Sequence, residues 1–600
     1  FAYGGWEQHG YHHDGNFCMN GLIAADWTPH PGLNAVKYVY RNVHVTEIDA
    51  AKGKFNIRNW YDFSNLQDLV KGEWVLEQNG EPIANGELTD LNIPPHSEKS
   101  IQVNMPAINN TASTEYTLNF HFRAKADYST LTEAGTELAY AQFLLPDAVP
   151  ATAINADALP TLKSAREGDQ LTITGKDFTV AFDLQAGRML DYTVKGRTLI
   201  QAGPEMDLWR AYTDNDKAPI GKGRYSDAWR DAISQQQVLS STFEELSNGA
   251  VRVQIAATLP NVNAAYQLVY TVYGNGEIAV DAQLDQRKVP VGLRHPHRFG
   301  TELLLPSEFD QMSWYGRGPN ATYSDRKFAR ISRFSGSVDE QWVDYSRPQA
   351  NGNKTDLRWL SMTNSNGAGL LFYTVGEALS GAAKHYSKET MENSDYSFQM
   401  ERSPHIHLNI DHDQLGVGGN TSWGATALPA YQLSERLNQF SYRIRPLNTG
   451  DTPTKLINSH ASAAPVQFKD LSTQLAPANF EGTYSASSQQ GKLKPANAFD
   501  GKKGTKWIAE TADGPQWIMV DFGKSEKLRG LQINWEKKGP YDYKVLLSED
   551  GQQWKKVGAN NKRGFTFTHR FDESARYLKI EITKTNGQMK AGITDISKLF

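Results

Sequence analysis

Six hundred residues with 39% apolar, 11% aromatic and 22% charged content are more chain than one core can organise, so three or four globular domains are expected and a small module or a disordered scaffold is excluded. The 62 Lys and Arg against 67 Asp and Glu leave a formal charge of −5 and no block of like charges that would track a phosphate backbone, which argues against nucleic acid as a partner. A single cysteine, Cys18, cannot close an internal disulfide or build a thiolate cluster, and no apolar run approaches the roughly 20 residues of a membrane span.

The chain opens on Phe1 in mid-pattern, and is expected to be the C-terminal portion of a longer protein whose signal peptide, if any, cannot be read here. Thr28-Pro29-His30-Pro31 then precedes Leu33, Val36 and Tyr40, spaced i, i+3 and i+7, which predicts a helix with Pro31 in its first turn. From there a strand period dominates. Between Thr114 and Phe122 the even positions Tyr116, Leu118, Phe120 and Phe122 are apolar while the odd ones are polar, the alternation of a half-buried strand. Tyr266 to Val272 and Ile278 to Leu284 flank Asn275-Gly276 and predict a hairpin; Tyr541 to Leu547, Asp550-Gly551 and Trp554 predict another. Residues 147–161, rich in Ala and Pro, and 447–476, polar and small, read as linkers. They separate segments 43–146, 162–446 and 477–600, of which the first and last have the size of single β-sandwiches. Trp507, Trp517, Phe522, Val545, Leu547 and Tyr577 would give the last a core of its own.

Several motifs carry a resemblance. Tyr3-Gly4-Gly5, Asp14 to Leu22 and Asp26-Trp27-Thr28-Pro29-His30-Pro31 resemble the last βα unit of the catalytic barrel of the glycoside hydrolase family 2 β-galactosidases. Tyr212-Thr213-Asp214-Asn215-Asp216, Trp314 to Pro319, Pro348 to Asn353 and Leu415 to Gly424 follow in that family's order. The resemblance implies a mainly β chain: residues 1–42 as the terminal unit of a (β/α)8 barrel, 43–146 as an immunoglobulin-like sandwich and 162–446 as a large super-sandwich of the small-chain type. Residues 477–600, through Ala496 to Gly501, Thr505-Lys506-Trp507, Trp517 to Gly523 and Tyr577 to Ile580, resemble a discoidin-type module, also known as the coagulation factor type C domain and as carbohydrate-binding module family 32.

The implied parent is an exo-acting, retaining β-galactosidase, periplasmic or extracellular in a bacterium, with a homo-oligomer possible and a glycan as ligand of the last module. Retention needs two carboxyl groups about 5 to 5.5 Å apart. In the family both are glutamates on barrel strands preceding the matched segment; the acid sits in an Asn-Glu dipeptide, which does not occur in these 600 residues. The chain alone is therefore expected to be inert. What it would contribute is the rim. The resemblance assigns the carbonyl of Phe17 and the amide of Asn20 to a monovalent cation, usually sodium, that places galactosyl hydroxyls; magnesium would be held by residues upstream. Asn20-Gly21 also reads as an ordinary turn, and Trp6 to Gly10 departs from the family's pattern. Trp423, in a Gly-Gly-x-x-Ser-Trp loop, would stack on the non-galactose part of the substrate, against the alternative of a buried sandwich tryptophan.

Two further clusters carry ligand chemistry. His405, His407, Asp411, His412 and Asp413 alternate with Ile406, Leu408 and Ile410, which reads as a plain half-exposed strand rather than a transition-metal site. Proline between His295 and His297 argues for a loop, not a rigid ligand pair. In the last module the resemblance sets Asp500 and Thr505 in the loop where related modules hold calcium, with Asp595 as the closing carboxylate, oxygen ligands that suit a hard cation; an Asp-Gly turn capped by local hydrogen bonds is the equal alternative. Trp535 is an exposed aromatic candidate for sugar contact. A non-catalytic glycan-binding or assembly protein is the competing class, but it has no reason to keep residues 1–42; a family 2 β-glucuronidase or β-mannosidase generally lacks the super-sandwich.

Overall fold

The computed structural model describes residues 21–24, 26–109, 111–146, 149–217, 228–290, 293, 295–345, 347–419, 421, 425–475, 479–502, 504–512, 514–584 and 590–599, of Lys584 the backbone alone. The predicted helix is present as Pro31–Val39, with Pro31 in its first turn and no acidic residue there. Everything after it is dominated by antiparallel sheet. A three-stranded sheet (Val43–Asp49, Lys54–Asn59, Glu98–Gln102) faces a four-stranded one containing Val70–Gln78 and Tyr116–Ala124. Their inner faces share one core through Phe55, Ile57, Leu118 and Phe120.

Tyr116–Ala124 departs from the expected half-buried pattern, because its polar face is covered as well: Thr117 and Asn119 are buried alongside Leu118 and Phe120. The cover comes from the middle of the chain. Gln142 Nε2 bonds both Asn119 Oδ1 at 2.8 Å and the Ile331 carbonyl at 2.7 Å, and Arg330 Nη1 reaches Glu137 Oε2 at 3.2 Å, which His121 Nδ1 also meets at 2.6 Å. Arg358 grips Glu115 through two hydrogen bonds of 3.0 and 2.9 Å. Paired polar groups satisfy this interface, so burial there leaves few orphaned donors.

The middle segment holds two five-stranded sheets and a nine-stranded sheet that runs from Gln237–Glu245 at one edge to Arg330–Ser337 at the other. One core joins all three, from Leu162 to Ile444. The Asn275-Gly276 hairpin forms as predicted, Val272 opposite Ile278, with Gly276 at φ 84° where a side chain would be strained. Its strand Ala264–Val272 is buried on both faces. The outer face is covered by the 447–476 segment, whose Leu471 and Leu475 pack on Ala256 and Ala265 while Lys469 exchanges hydrogen bonds with Gln267. Within the two segments read as linkers, Thr152–Asn155 and Ser459–Ser462 pair as parallel strands.

Residues from 479 onward form a seven-stranded sheet system with its own core of Trp507, Phe522, Ile533, Val545 and Ile580. The second predicted hairpin is there, Asp542–Ser548 against Lys555–Asn560, with Gly551 at φ 73°. Trp517 and Tyr577 lie outside this core, partly exposed, because the buried positions of their strands are the alternate ones, Ile518 and Val520, Leu578 and Ile580.

Candidate functional site

Phe17, Asn20 and Trp423 lie outside the described residues, whereas the base of the loop that leads toward Trp423 lies within them. Arg210 and Asp216, both buried, form a two-pronged ion pair, Nε to Oδ2 at 3.2 Å and Nη2 to Oδ1 at 3.1 Å. The same guanidinium donates to the carbonyls of Leu415 at 2.5 Å and Gly416 at 3.3 Å. Burial alone would push the Asp216 carboxyl up; the charges of Arg210 and His297 outweigh it and hold the group below the ordinary carboxylate range. A planar fork with five donors suits this double duty, pairing a carboxylate while fixing two carbonyls.

The loop then continues between two anchors. Asp325 accepts the N–H of Val417 at 3.0 Å and of Gly418 at 2.8 Å, and Asn215 Nδ2 donates to the Val417 carbonyl at 3.0 Å. Glycine is required here: a Cβ on Gly416 would stand 2.6 Å from the Asp325 carboxyl, and Gly418 holds φ 67°. Gln349 closes the arrangement, accepting from Asp214 N at 3.1 Å and donating to Asp214 Oδ2 at 3.0 Å. Asn353 bonds Gln414 Nε2 at 2.9 Å. Three motifs more than 60 residues apart in sequence, at 212–216, 348–353 and 415–419, thus meet at one loop base. From the N-terminal segment, His30 packs on Tyr345 with ring centroids 5.5 Å apart, which sets that segment beside this frame.

Arg210 and Asp325 were not singled out in the sequence. Arg210 stands two residues before the 212–216 motif, a legible signal; Asp325 had none, since its partners are backbone N–H groups 92 and 93 residues away.

Behind the frame lies a buried charge network. Arg298 pairs with Asp207 at 2.7 Å and Asp411 at 3.4 Å, and Lys388 bridges Asp207 at 2.7 Å and Glu302 at 2.8 Å. Of the histidines on strand His405–Gln414, His407 joins it, with Nδ1 3.1 Å from Glu302 Oε1, whereas His405 Nδ1 lies apart from it and meets Gln201 Oε1 at 2.6 Å. Burial pushes Asp411 up to about 7 despite Arg298. Among the described residues no group of three or more His, Cys, Asp and Glu could hold a metal ion.

In the last domain Asp500 Oδ1 accepts the Thr505 hydroxyl at 2.8 Å and the Lys502 N–H at 3.0 Å, closing a short loop. Asp595, on strand Gly592–Lys598, is buried, with Asn534 Nδ2 at 3.5 Å from Oδ2. Burial first, and then the nearby Asp500 charge, push its carboxyl up to about 6 against the Ser597 and Asn534 hydrogen bonds. Two carboxylates that repel each other, one of them buried, fit a hard cation held by oxygen. Trp535 is a correction: it is 3% exposed and stacks on Tyr541 at 3.8 Å and 9° inside the core, because it continues the buried alternation of Leu531 and Ile533.

Residues 1–45 match the glycosyl hydrolases family 2 TIM barrel domain, 55–146 beta-galactosidase domain 4, 174–445 the beta galactosidase small chain, and 483–595 the F5/8 type C domain. A beta-galactosidase of Priestia megaterium is 33% identical over 441 residues, covering 72% of this chain and 41% of that protein. One of Streptococcus thermophilus is 26% identical, covering 74% and 42%. The chain therefore spans less than half the length of the curated relatives it matches. Among solved structures, a chitosan-binding module 1 of a chitosanase/glucanase from Paenibacillus sp. IK-5 is 24% identical, over 20% of this chain and 96% of that one, with a TM-score of 0.19. A module from Clostridium perfringens in complex with glcNAc-alpha-1,4-galactose is 19% identical, over 20% and 88%, with a TM-score of 0.18.

Proposed function

From a chain that carries the barrel edge, domain 4 and small-chain domain of the family 2 β-galactosidases ahead of an F5/8 type C domain, we infer that the complete protein is an exo-acting, retaining β-galactosidase that removes terminal β-D-galactosyl residues from oligosaccharides or glycans. The observation that carries this reading is the loop base where Arg210, Asp216, Asp325 and Asn215 hold residues 415–418. That frame costs a buried ion pair, a price out of proportion to a mere connection between strands.

On this reading the acid and the nucleophile come from barrel strands that precede the matched segment, and this chain's residues bind and orient. The Phe17 carbonyl and Asn20 amide are neutral oxygens suited to sodium, which would place the galactosyl hydroxyls. Trp423, carried beyond the anchored loop, would stack its indole on the part of the substrate that leaves. Any magnesium would be held elsewhere in the parent. In the last domain Asp500, Thr505 and Asp595 would hold a structural calcium, and the domain would bind a glycan, raising the local concentration of substrate without touching the transition state. A periplasmic or extracellular location, where a polymeric glycan would be met, is part of this proposal. Among the described residues no helix is long and apolar enough to cross a membrane.

The test is kinetic. In the complete enzyme, Trp423→Ala should raise KM for a galactosyl disaccharide by about 2- to 12-fold, the equivalent of roughly 0.5 to 1.5 kcal/mol of stacking, with a smaller change for an aryl galactoside. The polypeptide of residues 1–600 should turn over neither substrate. Unchanged disaccharide KM in a stably folded variant would return Trp423 to the sandwich core, and absence of β-galactoside hydrolysis by the complete protein would overturn the assignment.

A further inference from the structure

The reading of the last domain as a glycan binder is the ground for a more specific statement about its ligand. Residues 477–600 hold 21 Lys and Arg against 14 Asp and Glu, a formal +7, so that residues 1–476 carry −12 of a chain whose total is −5. No long basic run betrays this, since the cations come singly or as dipeptides. The fold joins two of those dipeptides. Strands Gln516–Pro540 and Arg563–Lys584 pair antiparallel with Gly539 opposite Gly564 and Pro540 opposite Arg563, which sets Lys537-Lys538 beside Lys562-Arg563 at one tip of the sandwich. A register shift between Asn534 and Gly539 lays residues 535–538 against the single residue Phe565, whose side chain is 51% exposed.

All four cations are exposed. Lys506, close by, is neutralised by Glu536 at 2.7 Å, whereas among the described residues these four make no ion pair. Like charges on neighbouring strand positions repel one another. An anionic polymer laid across them would relieve the repulsion and release its own counterions, and the Phe565 ring between them offers apolar area to the C–H face of a sugar.

We propose that this tip binds an acidic polysaccharide, one whose sugar units carry carboxylates or sulfate esters. The acidic remainder of the chain would be repelled by such a polymer and the basic last domain drawn to it, with the tip as its densest group of unpaired cations. Four cations on the end of a two-stranded ribbon reach a few sugar units. They form no extended face on which a nucleic acid duplex would lie, and one exposed ring is no wedge for a bilayer.

The experiment measures binding of the full chain to immobilised polygalacturonate (carboxylate), heparin (sulfate ester) and a neutral β-galactan. Two double variants of equal charge loss are compared, Lys538→Ala with Arg563→Ala at the tip, and Lys524→Ala with Arg529→Ala farther back on the same strand, both exposed pairs. At least one acidic polymer should bind, about tenfold more weakly when salt rises from about 50 to 200 mM. The tip variant should lose about tenfold and the control less than twofold, both with unchanged cooperative melts. Binding to the neutral galactan alone, or equal losses in the two variants, overturns the proposal and leaves the glycan reading standing. Failure to bind any of the three overturns both. Tighter binding to duplex DNA or to vesicles of anionic lipid than to either acidic polymer overturns the proposal in favour of that partner.

Discussion

The large middle sandwich and the C-terminal domain solve the same packing problem with opposite treatment of charge. The middle sandwich buries Arg210, Asp216, Arg298, Asp207, Asp411, Lys384 and Lys354; its buried acids pair with arginine or lysine behind a loop base, while Lys354 finds a backbone carbonyl instead. Among its described residues the C-terminal domain keeps a core that is apolar but for the tips of tyrosines and tryptophans, buries no lysine or arginine, and buries one carboxylate, Asp595. Buried pairs are a weak source of net stability but penalise every arrangement that separates them. The middle sandwich thus spends stability on holding one loop in one place, while the C-terminal domain reserves its charge for solvent and what arrives from it.

Breaking a buried pair should have the largest effect. Arg210→Ala leaves Asp216 uncompensated and two carbonyls without a donor, so about 3 to 5 kcal/mol should be lost. In calorimetry the transition of the middle sandwich should move and that of the C-terminal domain stay. A double variant, Arg210→Met with Asp216→Leu, should recover part of the loss; recovery to the full native value would show that the pair adds nothing that packing cannot.

Lys354 sharpens the contrast through pH. Its ammonium donates to the Pro319 carbonyl at 2.8 Å and lies over Trp314; burial, and secondarily the charge of Lys384, bring it down to about 7. A depressed amine means that between pH 7 and 10.5 the unfolded chain binds the proton that the folded one has released. Stability from this group is therefore greatest at high pH and is lost as pH falls toward 7, a difference of order a few kcal/mol. Lys354→Met should flatten that rise in chemical denaturation and make the middle sandwich more stable at neutral pH. A slope identical to the parent's would place the proton elsewhere.

The smallest effect belongs to the C-terminal domain. With its own core it should melt cooperatively as an isolated 477–600 segment, and calcium at 100 times its dissociation constant should add about 2.7 kcal/mol. Asp500→Ala should abolish that increment while lowering the metal-free melt little, since Asp500 is half-exposed and bonded within its own loop. A calcium-insensitive parent would leave the Asp-Gly turn as the whole account.

Much of the architecture was legible because strand alternation and turn chemistry act over a few residues. The Asn275-Gly276 and Asp550-Gly551 hairpins, and Pro31 at a helix start, follow from local backbone preferences. Two kinds of statement failed. The sequence suggests an exposed Trp535 because a tryptophan in a polar stretch carries no label of the face it takes; its register beside Leu531 and Ile533 decides that. The alternating polar residues of Tyr116–Ala124 suggest a half-buried strand, yet they are covered across an interface by residues some 200 positions later, Arg330 bonding His121 and Ile331 bonding the Gln142 that holds Asn119.

The division is physical. Period and turn chemistry by themselves determined a chain of successive β-sandwiches with a short helix near its start, and motif order carried the resemblance that named Asp500, Thr505 and Asp595 as candidate ligands, because these depend on residue type and near neighbours. Only the tertiary structure decided that Asp325 caps a loop 92 residues away, that Arg210 serves an ion pair and two carbonyls at once, and that Lys537-Lys538 and Lys562-Arg563 share one tip. Long-range pairing sets those contacts, and its free energy belongs to the whole sheet rather than to any window of sequence.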